Sequence, residues 1–215
     1  MTQRRPVRIG RFFFALVCGI AAAFGSTARA EAACPAGTQY SAAFMQADQT
    51  WDTDEKSQIG GGQLIDTLKA GDGDTILFKG DTVATGTICA DFTLTAPSDD
   101  GTSAGLTFWA PSYHDYYVFQ IDPLVGTFAV DRKKSDKWSQ PISWRKSAAV
   151  KLGVGAINEL SVTLVGSQAT LSINGTSVAQ FTGFPPADPG YSGVHGEGGD
   201  KLGAVWATSN FVIGK

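Results

Sequence analysis

His195 and Glu197, two residues apart, pair a proton acceptor with a carboxylate, and Asp200 follows close behind. Such a pair can move protons to and from a substrate. Glycines at 196, 198 and 199 surround it, however, and predict a mobile loop that positions an acid poorly. Asp122 is a further acid open to that role, and His114 is the only other histidine. Retaining cleavage of a glycosidic bond needs two carboxyls about 5 to 5.5 Å apart. Alternate residues of one strand supply them most simply, as Glu-x-Asp-x-Glu. The four glutamates, at 31, 55, 159 and 197, begin no such run, which excludes that arrangement. A G-x-S-x-G elbow is missing, and the glycines at 60–62 precede strand-like text instead of a βαβ unit, so serine-triad and nucleotide chemistry are excluded as well.

Aromatic residues are the denser signal. Trp109, Tyr113, His114, Tyr116 and Tyr117 fall within nine residues, and Trp138 and Trp144 lie on the next predicted hairpin. Sugars present flat C–H faces that stack on such rings, whose polar edges reach hydroxyls. The candidate ligand-binding set is therefore Trp109, Tyr116, Gln120, Trp138, Trp144, His195 and Glu197. The same tryptophans are equally suited to capping a core. Acidic pairs at Asp52 and Asp54, Asp72 and Asp74, and Asp99 and Asp100 are candidates for a structural Ca²⁺, and equally for solvated turns. Other cofactors are not expected.

The elements that must hold these side chains read as short strands. Ile88, Ala90, Phe92 and Leu94 alternate with polar residues, as do Leu160, Val162 and Leu164, and Ala169, Leu171 and Ile173. A period of two means one buried face. Gly166 and Ser167 form one hairpin connection, and Asn174 and Gly175 another, where tight turns demand positive φ. Leu106 and Phe108 are expected to face the core, with Thr107 and Trp109 outward. Tyr117, Phe119 and Ile121 are likewise expected inside, with Tyr116, Val118 and Gln120 outside. No segment sustains a helical period, so the fold class is all-β, a sandwich or jelly roll of two antiparallel sheets.

Four arginines, an apolar run from Phe12 to Phe24 and Ala28-Arg29-Ala30 read as a cleaved signal peptide over residues 1–30, followed by one domain over 31–215. The first 30 residues hold five arginines and no acid, which leaves 12 basic and 20 acidic side chains and a formal charge of −8. Nucleic acid is not an expected partner, because the one basic cluster, Arg132, Lys133, Lys134 and Lys137, reads as a hairpin tip. Beyond the signal, Cys34 and Cys89 remain and are expected to pair in an oxidising compartment, periplasmic or extracellular.

Several blocks in order carry a resemblance. They are Trp51-Asp52, Ala104-Gly105-Leu106-Thr107-Phe108, Tyr116 to Ile121, Trp138 and Trp144 about Pro141, Asn158-Glu159-Leu160, Ile173-Asn174-Gly175 and Ser209 to Ile213. The sequence resembles the concanavalin A-like lectin/glucanase superfamily, and within it the bacterial jelly rolls related to the 3-keto-disaccharide hydrolase and LamG-like families. The resemblance implies a jelly-roll sandwich. It leaves three functions open: a noncatalytic carbohydrate-binding module for a saccharide or envelope glycan, a glycosidase or lyase acting on a modified disaccharide, and a protein-interaction domain.

Overall fold

The computed structural model describes Cys34 and residues 37–214, so the signal peptide expected over residues 1–30 lies outside the described residues. The described residues form fourteen strands in two antiparallel sheets. The larger sheet runs, in spatial order, β12 (Thr176–Thr182), β11 (Gln168–Ile173), β10 (Ile157–Val165), β5 (Gly86–Leu94), β14 (Ala204–Gly214), β3 (Gln63–Leu68) and β2 (Ser57–Gly60), with β1 (Thr38–Ala42) also paired to β14. The second sheet runs β4 (Gly73–Val83), β13 (Gly190–Glu197), β6 (Ser103–Ser112), β7 (Asp115–Asp122), β8 (Thr127–Lys134) and β9 (Lys137–Lys146). No described helix is long and apolar enough to cross a membrane.

Alternation explains the larger sheet well. Ile88, Ala90, Phe92 and Leu94 of β5 are buried while Asp91 and Thr93 are half-exposed, and Leu160, Val162 and Leu164 of β10 meet the same core. The connection between β11 and β12 is the two-residue turn Asn174-Gly175, with φ of 50° and 76°. Asn174 is more than a turn former. Its amide donates to the Ala149 carbonyl and to Asn158 Oδ1, and its carbonyl accepts from the Glu159 N–H, tying three segments together.

Cys34 and Cys89 form the expected disulfide across a Cα separation of 5.5 Å, linking the start of the described chain to the central strand β5. The bond closes a loop of 55 residues, most of the way through β4 and into β5. Reducing it is expected to cost about 2 to 4 kcal/mol, chiefly by restoring freedom to the unfolded chain. Urea melts with and without reductant check this; unchanged midpoints would remove the disulfide from the energetics of the fold.

The second sheet departs from simple alternation. Val118 and Gln120 alternate outward along β7 as expected, yet Gln120 is only 1% exposed, and Tyr116 and Val118 are also buried. The sheet is curved enough that side chains from flanking strands cover its outer face. Tyr116 of β7 reaches Thr75 of β4, with 3.1 Å between the two oxygens, although two strands intervene. A flat sheet would hold those backbones about 14 Å apart. Gly105 sits within this curved floor, between His195 and Gln120 in register, where a Cβ would overlap the Phe119 carbonyl.

Trp109 overturns the expected register. It is 3% exposed and joins the main core beside Phe108, with which it was expected to alternate. The reason is a bulge. The β6–β7 pairing shifts between Phe108 and Ser112, the β13–β6 pairing shifts between Tyr191 and Gly193, and Trp109 takes a left-handed φ of 49°. One inserted residue turns two successive side chains to the same side.

Candidate groove on the concave face

The curvature of the second sheet creates a groove of about 610 Å³. Its floor follows from strand register, because residues opposite one another across antiparallel strands share a face. Thr75, His195, Gly105 and Gln120 form one row; Glu197 and Ser103 begin the next. Trp138 rises from the β8–β9 hairpin, 51% exposed, with its ring 5.6 Å from Tyr116 and 6.2 Å from His195. Opposite it, Tyr113 donates to Asp52 Oδ2 at 2.8 Å, which brings the segment before β2 to the rim.

A continuous polar chain crosses the floor. Thr75 Oγ1 lies 2.8 Å from His195 Nδ1, and His195 Nε2 lies 3.4 Å from Glu197 Oε1. The Ser103 hydroxyl is 2.9 Å from both Glu197 Oε2 and Gln120 Oε1, and its single proton serves one of them at a time. Gln120 then donates to Asp131 at 2.6 Å, and Gln140 donates to the other Asp131 oxygen at 2.9 Å. Satisfied networks of this kind hold their members in one geometry.

The electrostatics separate the acids. Burial acts to raise the Glu197 carboxyl, but the hydrogen bond and charge of His195 and the Ser103 hydroxyl outweigh it and hold it below the usual range. Asp74 of β4, opposite Gly196 in register and so on the inner face, is raised by burial and by the charge of Asp54, and its buried Oδ2 has no partner among the described residues. Asp131 is also raised, by burial first and by the Glu197 charge among the rest.

Of the residues predicted from sequence, the structure brings Tyr116, Trp138, His195 and Glu197 together on this groove. Gln120 lies beneath them as part of the polar chain, and Trp109 is in the core. Trp144 is exposed on β9 and does not line the groove. His195 and Glu197 do not sit on a mobile loop. Both belong to β13, with His195 buried, and the glycines between and after them serve close packing against Asp66 and Lys69. His114 pairs instead with Asp136 at the far turn, and Asp122 caps the β7–β8 turn by accepting the Leu124 N–H. Thr75, Ser103, Asp131 and Lys133 were missed as groove residues, and Asp52 was read only as a candidate Ca²⁺ ligand. Only alternation along β4, β6 and β8 pointed to the first three, and it does not reveal which strands are neighbours.

Among the described residues, no three carboxylates of the acidic pairs come within 4.8 Å of one another. Among the described residues, the one trio of His, Cys, Asp or Glu donors within 4.8 Å is Cys34, Cys89 and Glu159, and its sulfurs are spent on the disulfide. Asp99 instead accepts the N–H groups of Lys201 and Leu202.

No protein-family profile matches the chain, and no curated protein sequence is similar to it. Solved structures are similar in fold. The carbohydrate-binding module CBM66 from Bacillus subtilis superposes with a TM-score of 0.58 at 13% identity, over 83% of this chain and 97% of that one. A β-glucanase of Bacillus licheniformis gives 0.60 at 8% identity, over 84% and 100%. The chain is a concanavalin A-like jelly roll. A laminarinase from Flavobacterium sp. UMI-01 shares the jelly roll too, with a TM-score of 0.58 at 9% identity over 83% of this chain and 100% of that one. At such identities the architecture is what is shared.

Proposed function

We propose that this jelly roll handles carbohydrate, in the groove on the concave face of its second sheet. The carrying observation is convergence: the Tyr113, Tyr116 and Trp138 rings meet Asp52, Lys133, His195 and Glu197 around one open space of about 610 Å³. Rings for stacking beside donors and acceptors at fixed positions are what a saccharide requires. The protein-interaction reading has less support, since the groove is polar and concave instead of broadly apolar. Export to an oxidising compartment is part of the proposal, supported by the Cys34–Cys89 bond.

Of the two finer readings, cleavage of a glycosidic bond is favoured over a noncatalytic module. Two of the three similar structures described are glucan-cleaving enzymes by name, and the groove holds the Glu197 carboxyl below its usual range beside His195 and Ser103. A carboxylate kept ionised in this way can act as a base. Glu197 takes a proton from the attacking water, whose hydroxyl ends on the anomeric carbon as the C–O bond breaks, and the departing oxygen takes its proton from solvent. The resemblance to 3-keto-disaccharide hydrolases adds modified disaccharides to neutral glucans as substrates to assay.

Release of reducing ends from such a panel is the test. Glu197→Gln is expected to lower the rate by about 10²- to 10⁴-fold while the melting curve stays close to that of the parent. Saccharide binding without any release would eliminate cleavage and leave a binding module. If no saccharide binds and none is cleaved, the carbohydrate reading falls altogether.

A further inference from the structure

A second depression, of about 240 Å³, opens beside the groove at the end of the sandwich and differs from it in charge. The groove carries Asp52, Asp54, Asp74 and Glu197 with Lys133 at their edge, whereas the second depression adds Arg132 and Lys134 to that lysine against the single acid Asp115. Asp115 is already engaged, accepting the Ser135 N–H at 3.2 Å. Lys133 is shared with Asp136 at 3.2 Å. Arg132 has no carboxylate partner among the described residues.

Arg132 is nonetheless held firmly. It lies opposite Tyr117 in the β7–β8 register, and its guanidinium carbon is 5.1 Å from the Tyr117 ring centre and 4.8 Å from that of Phe184. Phe184 is 71% exposed, yet its own N–H donates to the Tyr117 hydroxyl at 3.0 Å. Pro185, Pro186 and Pro189 follow it and limit the backbone freedom of this connection. A guanidinium fixed between two aromatic faces keeps its N–H edges free, and those edges match a planar carboxylate through two parallel hydrogen bonds. The exposed Phe184 ring beside it offers a stacking face for a sugar.

We infer that Arg132, between Tyr117 and Phe184, forms a second binding site for the carboxylate of an acidic sugar residue, a uronate. Its volume suits a single ring. It stands apart from the proposed function of the groove, which is assayed with neutral saccharides, so either can fail alone.

Calorimetric titration with digalacturonate and with its dimethyl ester, which differ in charge and little in shape, tests the site. Digalacturonate is expected to bind about tenfold or more tightly than the ester at low salt. Arg132→Gln is expected to abolish that difference, Arg132→Lys to keep part of it, and Phe184→Ala to weaken both ligands. Equal affinity for acid and ester overturns the inference, as does a preference that survives Arg132→Gln. Inorganic sulfate binding as tightly as digalacturonate would reduce the site to a generic anion contact and overturn the sugar assignment. Should Arg132→Gln fail to fold, the Arg132 side-chain N–H resonances of the parent decide: they shift with digalacturonate and not with the ester if the site is real, and stay still with both if it is not.

Discussion

Trp109→Ala is expected to destabilise the fold by about 3 to 5 kcal/mol, the usual cost of emptying a core site of a large aromatic ring. The ring packs 5.4 Å from Phe108, 5.4 Å from Tyr117 and 6.3 Å from Phe181, and it occupies the space that a side chain on Gly183 would need. Alanine leaves that space empty and still carries a Cβ at a left-handed φ of 49°. Trp109→Gly loses the same ring but relieves the backbone, by about 1 kcal/mol. Glycine is therefore expected to be the milder substitution, which is unusual within a strand. Denaturant melts of the three proteins give the answer. An unchanged midpoint for Trp109→Ala would mean that the ring is on the surface and the bulge in β6 is absent.

Asp66→Asn is expected to stabilise the protein at pH 8 and to do little at pH 4. Asp66, on β3, is 4% exposed between the sheets, and its Oδ1 has no hydrogen-bond partner among the described residues. Asp74 on β4 and Asp54 before β2 add negative charge near it, and the charges of His195 and Lys56 offset part of that. Burial, reinforced by the Asp74 charge, pushes its carboxyl from an ordinary 3.8 up to about 7.

The sign follows from which state holds the proton. Below about pH 4 Asp66 is protonated in both folded and unfolded chains and costs nothing extra. Between about pH 4 and 7 the unfolded chain releases the proton while the folded one retains it, so stability falls as pH rises. Above about 7 both are ionised and the loss is complete, at most about 4 kcal/mol for a rise from 3.8 to about 7. Asparagine fills the same space without a charge and removes this penalty. Chemical denaturation of both proteins at pH 4 and pH 8 checks it; the same difference at the two pH values would show that the Asp66 carboxyl is not held away from water.

Where one face of a strand is wet, sequence alternation reports the structure faithfully. The runs in β5, β10 and β11 and the Asn174-Gly175 turn were legible for that reason, as were the all-β class and the pairing of Cys34 with Cys89. Each rests on local information: a period of two, a positive φ, an even count of cysteines. The second sheet is different because its central strands β6 and β7 are covered on both faces. Along β7, Tyr116 and Tyr117 are both buried, so polarity no longer distinguishes inside from outside.

The register of β6 was read wrongly at Trp109 because a bulge leaves no mark in the pattern of residue types when the inserted residue is itself aromatic. Glycines 196, 198 and 199, taken for loop punctuation, are instead places where neighbouring chain approaches too closely for a side chain. Amino-acid types and short-range spacing determined the sandwich, its turns, its disulfide and the presence of rings and acids suited to a polar ligand. Only the tertiary structure decided which of them meet. The contact of Trp138 on β9 with His195 on β13 depends on the curvature of a whole sheet, a property set by many strands together and encoded at no single pair of positions.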